Sequence, residues 1–268
     1  MRKYLLAIFL VFLLHGRCSP APGPISYSKA CIYGIPVHIV TIDMSSSQVK
    51  VSPAIARHGI GATEGFGSMI SRLHPTAAIT GTYFCLRRLT PVGDIAIDGS
   101  VVNRGCVGTA LCITPDNRVC FKSVDPGKVG DWTGFTSVLC AGPILLNGGT
   151  VSLSPASEGF HSREILRSAS RAALGITNNN KLLFVSVTHR ILLRQLGYIM
   201  KSIGAVDAVN LDGGSSTAFY YKGRTIVHPA RRLTNLLVAY ESTLDFASAK
   251  SQLAPCSMLA KQQSPATP

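Results

Sequence analysis

The most informative feature of the sequence is one short stretch, which reads Ala208-Val209-Asn210-Leu211-Asp212-Gly213-Gly214-Ser215-Ser216-Thr217. An apolar strand ends there in a carboxylate, and two glycines and two serines follow. A side chain at the end of a rigid strand can be aimed at a ligand, and glycine lets the backbone turn sharply and a substrate approach closely. The same residues also suit an ordinary Asp-Gly hairpin turn, so the stretch alone leaves both interpretations open.

The segments before Asp212 predict that its carboxylate lies at a sheet edge where α/β proteins place their sites. An apolar strand over 182–187 precedes a segment with apolar residues at helical spacing, from Leu192 to Ile203. Gly204 ends this helix, and a strand over 205–211 follows. Strand, helix and strand make a βαβ unit, which puts Asp212 at the carboxyl end of its second strand.

The remaining periodicity predicts a domain rich in strands. The strands 37–42 and 49–53 are expected to pair across a serine-rich turn, a helix covers 66–73, a strand covers 77–80, and a β-meander runs over 94–122. We therefore expect an α+β or mixed α/β fold. Its single domain has a central mixed, largely β sheet and a few helices, including one βαβ unit.

The two ends of the chain have the composition of processed or unstructured segments. Arg2 and Lys3 precede a ten-residue apolar run that is too short to span a bilayer, so residues 1–18 predict a signal peptide. Arg17 before Cys18 argues against a lipoprotein signal. We expect a linker at 19–34, one domain at 35–245 and a disordered tail at 246–268. The protein is then secreted or periplasmic, with no transmembrane segment after the signal.

An exported chain meets an oxidising environment, where its eight cysteines can form disulfides. Their spacing includes no Cys-x-x-Cys pair of a zinc or redox site. The turn signal Pro115-Asp116-Asn117 places Cys112 opposite Cys120 on a hairpin. These two residues are the best candidate pair for a disulfide, with two small buried thiols as the alternative.

The formal net charge of +13 predicts an anionic partner. Phosphorylated glycans, lipopolysaccharide, a membrane surface and nucleic acid all carry the required charge. Nucleic acid is the weakest of these, because aromatic residues make up only 7% of the chain and the basic residues are not interleaved with them.

Seven short segments, in a fixed order along the chain, carry a family resemblance. They are Ile79–Phe84, Val92–Ile95 with Asp98-Gly99, Gly142–Leu146, Glu158–Phe160, Ser170–Ile176, Gly204–Ser216 and Arg232–Val238. Together they resemble the phosphodiester glycosidase family over residues 35–241. The family usually has Asn where Thr80 stands, and often Asp-Gly-Arg where this chain has Thr188-His189-Arg190.

The resemblance implies a hydrolase that cleaves the sugar C1–O bond of a sugar-1-phosphodiester, with an anionic phosphorylated glycan or glycoconjugate as substrate. From the composition we expect no nucleic acid as a partner. Such cleavage needs a carboxylate near an oxocarbenium-like transition state, and cations and N–H donors around the phosphate. The catalytic candidates are Asp212 as the carboxylate, Arg171 as a bidentate phosphate grip, and Glu158 and Asp94 as the second carboxylate. The candidates for substrate binding are Thr80, Tyr83, Asn147, Asn210, Gly213, Gly214, Ser215 and Ser216.

Each candidate also has a structural interpretation. Asp212 can be a turn residue, Arg171 a salt-bridge partner, and Glu158 or Asp94 a fold-stabilising carboxylate. The neighbouring pair Arg231-Arg232 is interpreted as a solvated basic pair rather than as phosphate ligands.

The sequence lacks the motifs of several other classes of catalytic site. The chain has no His-Glu-x-x-His zinc motif, no Gly-x-Ser-x-Gly elbow and no phosphate-binding loop of a nucleotidase. We expect no cofactor and assign no metal ligand, and a requirement for a divalent metal stays open. The second hypothesis is a non-catalytic glycan-binding or exopolysaccharide-assembly protein that keeps the fold but has changed at Thr80 and His189.

Overall fold

The structure of the chain, a computed structural model, describes residues 23–125 and 128–255. The predicted signal peptide at 1–18 and the first part of the predicted linker, 19–22, lie outside the described residues. So do residues 256–268 of the predicted tail. Within the described ranges, no helix has both the length and the apolar character needed to cross a bilayer.

The described residues form mainly β-strands. In chain order the strands are β1 (Ile25–Ile32), β2 (Ile35–Asp43), β3 (Lys50–Ile55), β4 (Ala77–Thr80), β5 (Phe84–Cys85), β6 (Thr90–Pro91), β7 (Ile95–Ile97), β8 (Ser100–Asn103), β9 (Thr109–Ile113), β10 (Val119–Ser123), β11 (Ser137–Ala141), β12 (Ile144–Asn147), β13 (Thr150–Val151), β14 (Ala169–Ile176), β15 (Lys181–Ile191), β16 (Asp207–Asn210), β17 (Phe219–Tyr221), β18 (Arg224–Val227) and β19 (Asn235–Tyr240). The helices are α1 (Phe66–Leu73), α2 (Arg163–Leu166), α3 (Leu193–Ser202) and α4 (Thr243–Ala249). Short 3-10 turns cover Pro155–Glu158, Gly214–Ser216 and Lys250–Gln252.

The strands assemble into three larger sheets and one small hairpin. The largest sheet has the order β1-β2-β15-β14-β16-β12-β13. Two five-stranded sheets have the orders β18-β17-β4-β19-β3 and β10-β9-β11-β7-β8, and β5 pairs with β6. The main hydrophobic core contains residues from all three larger sheets, while a second core forms where α3 covers the other face of the seven-stranded sheet.

The two predicted helices are confirmed, because their apolar residues recur on one face. The helix α1 buries Phe66, Met69, Ile70 and Leu73, at the spacing i, i+3, i+4 and i+7. The helix α3 buries Leu193, Leu196, Ile199 and Met200 against the seven-stranded sheet, and Gly204 follows it with a φ of +85°. The predicted strand at 77–80 is confirmed as β4.

The expectation of a mixed sheet is wrong for the described residues, in which every strand pair is antiparallel. The strands β15 and β16 do run in the same direction and α3 connects them. They are not neighbours, however, because β14 lies between them and pairs with both. In a simple βαβ unit β16 would pair with β15. Here β14, the hairpin partner of β15, lies in that position.

Three other expectations, about the linker, one strand and the tail, are corrected. The predicted linker contains β1, which pairs with β2 along its whole length. Its alternating polar residues suit an exposed edge strand, which hid it in the sequence. The strand 49–53 corresponds to β3 and pairs with β19 instead of β2. The predicted tail at 246–268 begins inside α4, whose N-cap Ser242 accepts hydrogen bonds from the next turn, and Leu253 beyond the helix is buried.

The region predicted as a β-meander, 94–122, forms the hairpins β7–β8 and β9–β10, with β11 inserted between them. Cys112 and Cys120 are directly opposite each other in the β9–β10 pair, as the turn signal predicted. Cys112 is buried and Cys120 is exposed, and no disulfide joins the six cysteines that the structure describes. Burial raises the pKa of the Cys112 thiol.

Candidate active site

Asp212 lies just beyond the carboxyl end of β16, where backbone contacts hold it on two sides. The Leu211 N–H donates to the Ala172 carbonyl of β14 at 2.8 Å, and the Asp212 N–H donates to the Gly81 carbonyl after β4 at 3.1 Å. The Gly213 N–H donates to the Asp212 carboxylate at 3.0 Å. The carboxylate therefore lies where the seven-stranded sheet meets the loop after β4, in a fixed position.

The environment of Asp212 makes its carboxyl group harder to ionise. Burial raises the pKa of Asp212 from 3.8 to about 6, and the nearby Ser216 hydroxyl, the Arg231 charge and the Gly213 N–H all oppose that rise. A carboxyl group that is desolvated and close to a specific cation is typical of functional sites. At neutral pH this group is mainly a carboxylate, and the residue is half-buried.

The loop from Gly81 to Tyr83 is clamped by one buried side chain, Asn235 of β19. The Asn235 Oδ1 accepts a hydrogen bond from the Thr82 N–H at 2.7 Å, and its Nδ2 donates to the Thr82 carbonyl at 3.1 Å. A Cβ atom on Gly81 would lie 1.8 Å from that Oδ1, so the close approach needs glycine. Asn235 thus positions the carbonyl that holds Asp212.

Sequence reasoning missed this role of Asn235. The only signal for it was its place in the Arg232–Val238 segment that carries the resemblance. An Asn inside an apolar strand gives no indication of which loop it holds.

Tyr83 connects the clamped loop to the end of β16. The Asn210 Nδ2 donates to the Tyr83 hydroxyl, and the Tyr83 ring packs against Phe160 with 5.7 Å between the ring centroids. Burial raises the pKa of Tyr83, the charges of Asp212 and Glu158 raise it further, and the Arg171 charge lowers it. The Tyr83 hydroxyl therefore lies within the electrostatic reach of three of the predicted catalytic residues.

Glu158 supplies a second carboxyl group on the wall formed by β12. Its two carboxylate oxygens accept the Ile144 N–H at 3.1 and 3.0 Å, and the Thr109 hydroxyl donates to it at 3.4 Å. Burial raises the pKa of Glu158, although these hydrogen bonds oppose the rise. Glu158 is therefore a fixed carboxyl group that retains a proton more readily than an exposed glutamate.

Arg171 lies beside the Asp212 loop, since a Cβ atom on Gly213 would be 3.7 Å from the Cα atom of Arg171. The guanidinium group is buried and donates to backbone carbonyls: Nε to Ile191 at 3.2 Å, and Nη2 to Ile165 at 3.0 Å and to Arg167. These bonds tie α2 to the end of β15. The guanidinium group that was predicted to bind phosphate donates to backbone carbonyls in this structure.

Arg231 is the exposed cation of the site, although the sequence favoured a solvated basic pair. Its Nε donates to the Ser215 hydroxyl at 2.5 Å, and its guanidinium carbon lies 5.9 Å from the centre of the Phe84 ring. Its charge lowers the pKa of Asp212. The guanidinium group thus faces solvent next to the carboxylate, as a phosphate ligand needs to.

The glycine-serine loop after Asp212 forms one tight turn. Gly214 has a φ of +57°, and a Cβ atom on Gly213 would lie 2.8 Å from the Ser170 carbonyl. The Ser170 hydroxyl donates to the Gly214 carbonyl at 3.0 Å, which ties the loop to β14. Beside the loop, the buried Oδ1 of Asn210 has no hydrogen-bond partner among the described residues, so it is a polar atom that a ligand hydroxyl could satisfy.

The other predicted site residues do not all belong to this cluster. Asn147 lies at the far end of β16, because its neighbour Gly148 donates to Asp207, the first residue of that strand. Thr80 is buried at the end of β4, directly before the clamped loop, and its N–H donates to the Ala218 carbonyl. Asn147, the last residue of β12, therefore lies away from Asp212, while Thr80 lies in the core directly beside the site.

The Asp94 carboxylate is occupied by donors from the protein itself. It accepts hydrogen bonds from the Trp132 Nε1 at 2.6 Å, the Gly105 N–H at 2.7 Å and the Arg104 guanidinium at 3.3 Å. Three donors to one buried carboxylate satisfy it fully and hold two loops together. Within the ranges 23–125 and 128–255, no cluster of three or more His, Cys, Asp or Glu residues could hold a metal ion.

Comparisons with known structures place the fold among several proteins of low sequence identity. The zebrafish N-acetylglucosamine-1-phosphodiester alpha-N-acetylglucosaminidase catalytic domain, auto-inhibited by its pro-peptide, has a TM-score of 0.65 at 19% identity, over 84% of this chain and 85% of its own. A hypothetical protein from Synechocystis has a TM-score of 0.63 at 17% identity, and 80% of this chain spans 61% of it. A candidate exported protein of Burkholderia pseudomallei has a TM-score of 0.59 at 14% identity, over 77% of this chain and 74% of its own.

At these identities the three structures show a shared fold and no more. The sequences of curated proteins contain no match to the chain. The profile of the phosphodiester glycosidase family matches residues 74–240. That range includes Asp212, the clamped loop, Glu158, Arg171, Arg231 and Asn235, and it covers more than half of the sequence. The chain belongs to the phosphodiester glycosidase family.

Proposed function

We propose that the protein is an exported hydrolase that cleaves the glycosidic bond of a sugar-1-phosphodiester on a phosphorylated glycan or glycoconjugate. The observation that carries the proposal is the pairing of Asp212, a desolvated carboxylate, with Arg231, an exposed guanidinium group beside it. One group suits a developing positive charge on the sugar, and the other suits a phosphate. In the reaction the C1–O bond breaks, water adds to C1, and a free sugar and a phosphomonoester leave.

Asp212 is proposed to stabilise the oxocarbenium-like transition state. Glycosidic cleavage places positive charge on the sugar ring, and a carboxylate in a site with little water interacts with it more strongly than one in bulk solvent. The backbone contacts of Asp212 with Gly81 and Gly213 fix the carboxylate before the substrate arrives. Such preorganisation avoids a reorganisation cost during the reaction.

Glu158 is proposed as the second carboxyl group. Burial favours its protonated form, which could donate a proton to the leaving oxygen. The leaving group here is a phosphomonoester, which departs readily without a strong acid. Glu158 is therefore expected to matter less than Asp212, and Tyr83, whose hydroxyl lies near both, can orient the sugar between them.

Arg231 is proposed to bind the phosphate together with the Ser215 hydroxyl and the glycine-serine loop. Arg231→Ala should raise KM for a sugar-1-phosphodiester by about tenfold or more, because a charge-assisted hydrogen bond is lost. Arg232→Ala is the matched control, since the Arg232 guanidinium donates to the Thr63 carbonyl at 3.1 Å and is tied to that loop. Equal KM values for Arg231→Ala and the wild type would contradict the assignment.

The rate should fall as the pH drops below about 6, because protonation removes the Asp212 charge that the transition state needs. Since the Arg231 charge lowers the pKa of Asp212, Arg231→Ala should move this acid limb to higher pH. The pH dependence of kcat/KM measures both effects. An acid limb in the same place for both proteins would show that the limb belongs to another group.

The experiment that tests the proposed function is the release of free sugar from a synthetic sugar-1-phosphodiester, with binding of the same compound measured in parallel. Release of sugar together with a phosphomonoester supports the hydrolase. Tight binding with no release by the wild-type protein would support the second hypothesis, a non-catalytic glycan-binding or exopolysaccharide-assembly protein.

A further inference from the structure

Three exposed segments near the site share one pattern, an exposed leucine with two arginines close to it in the chain. They are residues 86–88, 163–167 and 190–194, which together we call the Arg–Leu rim. Leu86, Leu166 and Leu192 expose 66%, 54% and 47% of their surface. The rim carries six arginines and one glutamate. Large exposed apolar side chains within one basic surface are unusual for a protein that meets only water.

Contacts through Arg171 hold two of the rim segments next to each other. The buried guanidinium donates to the Ile165 carbonyl at 3.0 Å and to the Ile191 carbonyl at 3.2 Å. Leu166 and Leu192 directly follow these two carbonyls in the chain. The second and third segments are therefore joined through a single side chain that lies beside the Asp212 loop.

The first rim segment is also connected to the site. It is the tip of the β5–β6 hairpin, which directly follows the clamped loop. The Tyr83 ring packs against Phe160, the residue three positions before Arg163, with 5.7 Å between centroids. Phe84 of this hairpin also lies under Arg231. All three segments thus border the site.

We propose that the Arg–Leu rim docks the protein on an anionic membrane surface. Leucines can insert at the level of the lipid headgroups while arginines bind the phosphates around them. A soluble phosphorylated glycan would bind the arginines, but it would leave the three leucines in water. The basic charge of the rim and its exposed leucines therefore fit a membrane better than a soluble anion.

Docking by the rim would turn the Asp212 site toward the lipid surface. If the proposed function is correct, this orientation favours a sugar phosphodiester that is anchored in the membrane. The docking itself does not depend on that function, since lipid binding can be measured without any turnover.

Cosedimentation of the purified protein with phospholipid vesicles tests the proposal. Vesicles of equal parts phosphatidylglycerol and phosphatidylcholine should bind the protein at least about tenfold more tightly than phosphatidylcholine alone. The variant Leu86→Ser with Leu166→Ser and Leu192→Ser should bind the mixed vesicles about tenfold or more weakly. The matched control changes three exposed apolar residues elsewhere, Tyr33→Ser, Val129→Ser and Leu244→Ser, and should bind like the wild type.

A second variant, Arg87→Gln with Arg88→Gln, changes only exposed side chains at the hairpin tip and should weaken binding several-fold. It keeps the test decisive if the leucine variant does not fold, as checked by circular dichroism. The proposal is overturned if the wild type binds both kinds of vesicle equally or neither, or if the arginine variant binds like the wild type. A leucine variant that folds and binds normally would also overturn it, since the rim would then act as a charge patch alone.

Discussion

Asp212→Asn should reduce turnover of a sugar-1-phosphodiester by about 10³-fold while leaving the fold intact. The amide keeps the size of the side chain but removes the charge that stabilises the transition state. Steady-state kinetics should show the loss in kcat, because the phosphate contacts of the substrate do not change. Asp207→Asn is the matched control, since Asp207 lies at the opposite end of the same strand and its side chain accepts only the Gly148 N–H among the described residues. The control should retain near-normal turnover.

The same substitution should change stability in a pH-dependent way. The folded-state pKa of Asp212 is raised above its ordinary value of 3.8, to about 6. Its favourable contribution to folding is therefore fully present below about pH 4 and lost as the pH rises through about 6. Asp212→Asn should be more stable than the wild type at pH 8, with the gain shrinking as the pH falls. Denaturant unfolding at several pH values measures this, and a gain that grows at low pH would contradict the burial of the carboxyl group.

Gly81→Ala should have the second largest effect, because a Cβ atom would lie 1.8 Å from the Asn235 Oδ1. Either the clamp on Thr82 breaks or the loop moves, and both displace the carbonyl that holds Asp212. We expect a loss of about 1–3 kcal/mol in the free energy of unfolding, as for other overpacked sites. The activity of the fraction that folds should also fall sharply, since the end of the clamped loop carries Tyr83.

Gly67→Ala is the matched control for Gly81→Ala. Gly67 lies in α1 with no atom within 4 Å of its Cβ position, so alanine there should stabilise the helix by up to about 1 kcal/mol. Unfolding curves and kinetics on both variants separate a local clash from a general intolerance of alanine. Normal activity in Gly81→Ala would show that the loop does not position Asp212.

Much of the fold could be predicted from the sequence because the signals were local. Each of these signals depends on residues close together in the chain. They are the helical spacing of apolar residues at 66–73 and 193–202, the strand before Asp212, and the turn that pairs Cys112 with Cys120. Strand pairing was predicted less well. The partner of β3 is β19, nearly two hundred residues away, and no local signal specifies such a pair.

The candidate site could likewise be predicted only where its signals are local in the sequence. The position of Asp212 followed from its strand and its turn, but the use of Arg171 and Arg231 depends on distant carbonyls and hydroxyls. A buried arginine and an exposed one are identical in a sequence, so their roles could not be separated there. Asp94 stayed a candidate acid in the sequence because its three donors, Arg104, Gly105 and Trp132, lie in two other segments of the chain whose proximity no local signal reveals.

The most direct test of the account is hydrolysis of a sugar-1-phosphodiester in water enriched in ¹⁸O, followed by mass spectrometry of both products. A glycosidase breaks the C1–O bond, so the label should appear in the free sugar and not in the phosphomonoester. Label in the phosphate would mean that the P–O bond breaks, and it would contradict the assignment of Asp212 to an oxocarbenium-like transition state.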